Sequence, residues 1–238
     1  MTTTFDHILA GLLVVGVPLY AARFSWPRMM QDLGAGGSDA RIRIYWGNIG
    51  PEWLLTAGAL AAWLYADRPL ADLGFALPPG WRFWVGLAAA LAVAGALGLQ
   101  YLVVLGTEDG RRKALESVRR SAPFAPQTGR EMAHFAALSA SAGICEEVLY
   151  RGFLIWYAAR FTGTTIAGLA LAVTVSALAF GIGHLYQGWA GALRVTGMAI
   201  VFGGLFVFSE SLWIVIVLHA YVDVAGGLLS VVLHRRDT

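Results

Sequence analysis

Seven apolar stretches recur along the chain, at about residues 6–23, 44–66, 83–106, 131–159, 164–186, 189–208 and 211–234. A hydrocarbon core about 30 Å thick takes about 20 residues of helix at a rise of about 1.5 Å each. The pattern therefore predicts an all-α fold, a polytopic transmembrane helical bundle of about seven spans. Asn48, Pro51 and Glu52 interrupt the second stretch, where the proline either kinks the helix or marks its start. No positive charge precedes the first apolar stretch, which favours a retained span over a secretory leader.

The polar segments between these stretches divide the basic residues unevenly. With seven crossings, one side holds thirteen Arg and Lys and the other holds three, while Arg151 falls inside a span. The positive-inside rule then places the amino terminus outside and the carboxyl terminus in the cytosol. Thr107 to Gly129 is the longest connection, and its basic part, Arg111 to Arg120, predicts a short helix lying on the anionic cytosolic leaflet. No polar stretch is long enough for a separate extramembrane domain. The expectation is one membrane-embedded domain over residues 1–238, with its motif-bearing core at about 131–234.

Composition sharpens this picture in two ways. Of 238 residues, 58% are hydrophobic and 13% charged, with a mean hydropathy of +0.64, which lies outside the usual soluble balance. Sixteen of the seventeen basic residues are Arg, which together with abundant Ala and Gly points to a GC-rich, bacterial coding sequence and hence to a plasma-membrane protein. The single cysteine, Cys145, allows no internal disulfide and is read as packing material. The chain carries no internal repeat, nucleotide-binding glycine loop or paired-cysteine zinc motif, and no nucleic-acid partner is expected.

Ionisable residues deep inside apolar stretches are the candidate chemistry. The fourth stretch holds Glu146, Glu147 and Arg151, the fifth ends in Phe180-Gly-Ile-Gly-His184, and the seventh holds His219 and Asp223. Glu147 and Arg151 are four residues apart in the favourable order for a helix salt bridge, and His219 and Asp223 share a face at the same spacing. Glu146 is rotated by about 100° from Glu147 and lacks that partner. Each charged group costs about 2.5–3.5 kcal/mol at a span centre, whereas interhelical polar contacts return about 0.6 kcal/mol. Structural glue does not balance that cost, so chemistry is the better reading. His7, His134 and His234 lie near span ends and receive no role. Ser139, Ser141, Gly143, Gly181, Gly183, Gly226 and Gly227 flank the polar groups, where small side chains let helices approach closely.

Glu-Glu-x-x-x-Arg, Phe-x-x-x-His and His-x-x-x-Asp, in this order over residues 146–223, resemble the CAAX-processing and bacteriocin-immunity family of intramembrane proteases, whose eukaryotic members trim prenylated proteins. The resemblance implies an endopeptidase acting on a membrane-anchored protein or peptide within the lipid bilayer. It implies that Glu146 and His184 activate water, that His219 and Asp223 stabilise the oxyanion, and that Glu147, Arg151 and Phe180 support them, with Glu147 and Arg151 holding Glu146 in place. The family often has Asn where this chain has Asp223, and an ionised carboxylate cannot donate to an oxyanion. Asp223 is thus protonated, orients His219, or binds something positive. Glu146, His184, His219 and Asp223 also offer the ligands a catalytic zinc accepts, so metal dependence stays open, with metal-free glutamate-type hydrolysis favoured. A non-catalytic immunity or scaffold protein of the same family, and a proton-coupled transporter, are the competing readings.

Overall fold

Every apolar stretch of the sequence folds as a helix, because a backbone surrounded by lipid must satisfy its own N–H and C=O groups. The computed structural model describes residues 2–34 and 36–236. Among these there are eight main helices and no strand.

Helix α1 runs over Thr4–Gly34, α2 over Ser38–Tyr65 and α3 over Trp81–Gly106. Next come α4, Glu108–Ser121, and α5, which starts as Gly129–Glu146, passes through a π-helical stretch, Glu147–Leu154, and ends as Ile155–Thr162. The bundle is completed by α6, Ile166–Gly183, α7, Trp189–Ser209, and α8, Leu212–Arg235. Five of these, α1, α3, α6, α7 and α8, are long and apolar enough to cross a membrane. The other two long helices, α2 and α5, are those that carry Glu52 and the Glu146-Glu147-Arg151 cluster.

Proline positions explain two departures from a plain span. Pro51 lies inside α2 rather than at its start, and the Asn48 side chain donates to the Ile44 carbonyl (2.7 Å) on the turn before it. In α1 a π-helical turn at Leu12–Gly16 precedes Pro18, and the helix continues about three turns beyond the expected limit.

Helix α4 has the form expected of the basic connection. Thr107 caps it by accepting from the Gly110 N–H (3.1 Å), acids occupy its first turn and Arg119 and Arg120 its last, matching the helix dipole. Hydrogen bonds from Lys113 and Arg112, each at 2.6 Å, hold the exposed Asp109 carboxyl below the usual carboxylate range.

Packing places α5 at the centre. Its faces meet α2, α6 and α8, while α3 lies against α7 and α8 and α6 against α7. At the end of the bundle away from α4, Arg68 makes a two-pronged pair with Asp6 (2.8 and 2.7 Å) and stacks over Trp63 and Trp156, tying α1 to the α2–α3 connection and α5. At the α4 end, Tyr45 donates to the Phe124 carbonyl (2.7 Å) and packs on Phe135.

Candidate active site

The site begins with a change in helix type. At Glu147 the backbone of α5 widens from α to π geometry, and the looser turn continues to Leu154. Widened turns offset a helix face and release carbonyls, and they recur at functional positions. Here the Tyr150 carbonyl accepts both from the Ile155 N–H of the π-turn and from Ser176 Oγ of α6 (2.8 Å). The same stretch is buried over its whole length, Arg151 included.

Glu147 is fully enclosed and holds two partners with one oxygen. Its Oε1 lies 2.9 Å from Arg151 Nη1, four residues on, and 2.7 Å from His219 Nδ1 of α8. A carboxylate only accepts, so Nδ1 of His219 carries the proton and donates to Glu147. That bond fixes the ring and directs Nε2 to the other side. There Glu146 Oε2 lies at 3.6 Å and Asp223 Oδ2 at 3.7 Å. Two adjacent acids of α5 and one of α8 thus converge on one imidazole.

An aromatic floor joins these groups to His184. The Phe180 ring lies under the Arg151 guanidinium (4.7 Å), meets His219 edge-on (6.4 Å between centroids) and packs beside His184 (4.5 Å). His184 Nδ1 lies 2.8 Å from the Phe180 carbonyl, an acceptor, so Nδ1 is the protonated nitrogen and Nε2 keeps its lone pair. His184 and Glu146 share no direct hydrogen bond or ion pair among the described residues, and Tyr186 stacks near His184 (5.6 Å).

The sequence-predicted residues are therefore gathered, but with a different internal wiring. Glu147 and Arg151 form the pair that their spacing required, yet the side chain they clamp is His219 rather than Glu146. Asp223 and His219 share a face as expected. Of the small residues, Gly143 sits where a methyl group would lie 3.1 Å from the Ala220 N and Ile216 O of α8, and Gly181 where it would meet Thr196 of α7. Gly227 faces Phe135 in the same way, whereas Gly183 faces open space and Gly226 meets only Tyr101 at 3.7 Å. His7, His134 and His234 bond to Tyr157, Trp46 and the Ser230 carbonyl, away from this cluster.

One acid of the cluster was not singled out by sequence reasoning. Glu52 of α2 lies within electrostatic range of Glu146, His219 and Asp223. Beside it, Trp53 Nε1 donates to Ser141 Oγ of α5 (3.1 Å), fixing the register of the two helices. The available signal was a lone Glu inside an otherwise apolar stretch.

Among the described residues no three His, Cys, Asp or Glu side chains converge in an arrangement that would hold a metal ion. His219 donates Nδ1–H to Glu147 and His184 donates Nδ1–H to a backbone carbonyl, so each ring leaves Nε2 open toward the cluster.

Residues 128–225, from the cap of α5 to the middle of α8, match the family model described as type II CAAX prenyl endopeptidase Rce1-like. Over that segment the chain is similar to the CAAX-processing and bacteriocin-immunity family. No curated protein and no solved structure matches the chain. The matched segment contains all three motifs of the family and leaves α2, with Glu52, outside it.

Proposed function

We propose that the protein is an intramembrane endopeptidase of the CAAX type, hydrolysing a peptide bond in a membrane-anchored protein or peptide. The observation that carries this reading is His219, locked by Glu147 on one nitrogen and facing Glu146 and Asp223 with the other, inside an apolar bundle. Hydrolysis needs a base for water and donors for the developing oxyanion, and both kinds of group meet here.

Glu146 is the general base. It takes a proton from water as the oxygen attacks the scissile carbonyl, with the free Nε2 of His184 accepting the second hydrogen of that water and orienting it. His219, held by Glu147, presents Nε2–H to the carbonyl oxygen as it becomes an oxyanion, and Asp223 keeps the ring in line. The tetrahedral intermediate then collapses, the C–N bond breaks, and a proton reaches the leaving nitrogen. The enzyme lies in a bacterial plasma membrane with its amino terminus outside, and α4 rests on the cytosolic leaflet near the substrate's point of entry.

The test is cleavage of a membrane-anchored reporter peptide by the purified protein in liposomes. Glu146→Gln is expected to lower turnover by about 10²–10⁴-fold with an unchanged thermal unfolding profile, and wild-type turnover is expected to survive a strong chelator. Turnover retained in Glu146→Gln refutes the assignment.

A further inference from the structure

Hydrolysis leaves one proton unassigned, the one that the leaving amine must receive. We propose that Glu52 of α2 is a further catalytic residue of this site, the general acid that protonates the leaving nitrogen while Glu146 serves as the base. The inference rests on the hydrolase reading above and adds a residue from outside the family-matched segment.

Two observations on the side chain point to chemistry rather than structure. Glu52 Oε2 is shielded from solvent and has no hydrogen-bond partner among the described residues. An acid that ties helices together makes hydrogen bonds, and here the neighbouring Trp53 does that work by binding Ser141. An acid without a partner in an apolar helix is kept for something that comes and goes.

Its surroundings say what that is. Glu52 lies within electrostatic range of Glu146 on α5 and of His219 and Asp223 on α8. On α5, Arg151 is already matched by Glu147. From α6 the nearby titratable group is His184, whose protonated nitrogen serves a carbonyl. Tyr186, beyond the end of α6, faces Glu52, Glu146 and Asp223, while Tyr101 of α3 faces Asp223. Three carboxyl groups therefore share one imidazole as their unmatched cationic partner, and charge balance leaves protons on the others. Glu146 has its carboxylate 3.6 Å from His219 and is the one His219 keeps ionised. Glu52 has no such contact and holds a proton.

The step balances. Water gives one proton to Glu146 as its oxygen bonds to the carbonyl carbon. As the C–N bond breaks, the electron pair stays on nitrogen and takes the proton from Glu52. Products are a carboxylic acid and an amine, Glu146 is left protonated and Glu52 ionised, and one transfer from Glu146 to Glu52 restores the starting state. Two carboxyl groups with opposite protonation are the recurrent arrangement for paired acid and base work.

The experiment compares wild type, Glu52→Gln, Glu52→Asp and Glu146→Gln in liposomes by cleavage kinetics and by infrared spectroscopy. Glu52→Gln is expected to lower kcat by about 10²-fold with KM within twofold, and to lose the alkaline limb of the pH profile, which reports an acid that must be protonated. Glu52→Asp is expected to recover part of kcat. Independently of substrate, carbonyl absorption of protonated carboxylic acids is expected in wild type and in Glu146→Gln, and is expected to lose one component in Glu52→Gln while the component of Asp223 remains. Wild-type kcat and an unchanged infrared band in Glu52→Gln, with Glu146→Gln inactive, overturn this inference and leave the hydrolase reading intact. Turnover retained in Glu146→Gln sinks the hydrolase reading, and the infrared comparison still decides whether Glu52 carries a proton.

Discussion

Glu147 shows why position within a motif matters more than charge. It is fully buried, and its one engaged oxygen is shared between Arg151 and His219. Removing one member of a buried ion pair leaves the other uncompensated and costs about 3–5 kcal/mol, whereas removing both is far cheaper. Arg151→Met is therefore expected to lower the thermal unfolding temperature in detergent markedly. Glu147→Gln combined with Arg151→Met is expected to recover part of the loss but not turnover, because Gln holds His219 less firmly than a carboxylate does. A double variant no more stable than Arg151→Met would remove the buried-pair account. At this scale the Glu147–Arg151 pair was legible, since a spacing of four on one helix defines it. The bond from Glu147 to His219 spans 72 positions and two helices, and no local spacing encodes it. Glu52 showed in the sequence only as an interruption of its stretch, because what surrounds it is brought by α5 and α8.

Helices approach closely only where both surfaces allow it, and the glycines divide along that line. At Gly143 an added methyl group would press on the backbone of α8 at Ala220, beside His219, and at Ile216, one turn before it. Backbone cannot swing aside as a flexible side chain can, so Gly143→Ala is expected to cost about 1–3 kcal/mol and to displace His219 from Glu147. Gly183 has nothing within reach, and Gly183→Ala is expected to be tolerated in both stability and cleavage. Thermal unfolding and reporter cleavage of the two variants check the contrast, and equal losses would show that the α5–α8 contact is not what Gly143 serves. The sequence displayed small residues beside every polar motif without telling these two apart, because their difference lies in the facing helix. Nor did it disclose the π-helical stretch at Glu147–Leu154, which leaves the hydrophobic pattern unchanged while it widens the turn under the acid.

Across the whole molecule, hydropathy and charge together carried the architecture. Each of the seven apolar stretches is a helix, and α4 stands where the basic connection was expected. The two long helices that fall short of a plain apolar span, α2 and α5, bring acids to the cluster around His219. Buried acids thus erode the very signal by which a span is read from sequence. The uneven distribution of Arg predicts a sidedness that can be checked directly. The only cysteine, Cys145, is fully buried, so the wild-type protein offers a quiet background to a membrane-impermeant maleimide. Arg120, on α4, and Ala71, between α2 and α3, are both exposed and lie on opposite sides of an odd number of crossings. With the carboxyl terminus in the cytosol, Ala71→Cys is expected to react in intact cells and Arg120→Cys only in inverted vesicles. The reverse pattern would place the α4 end outside the cell, and a cytosolic route for substrate to the α4 end of the bundle would have to be abandoned. Labelling of both sites from one side would mean that α3 does not cross, and α3 is one of the five helices apolar enough to do so.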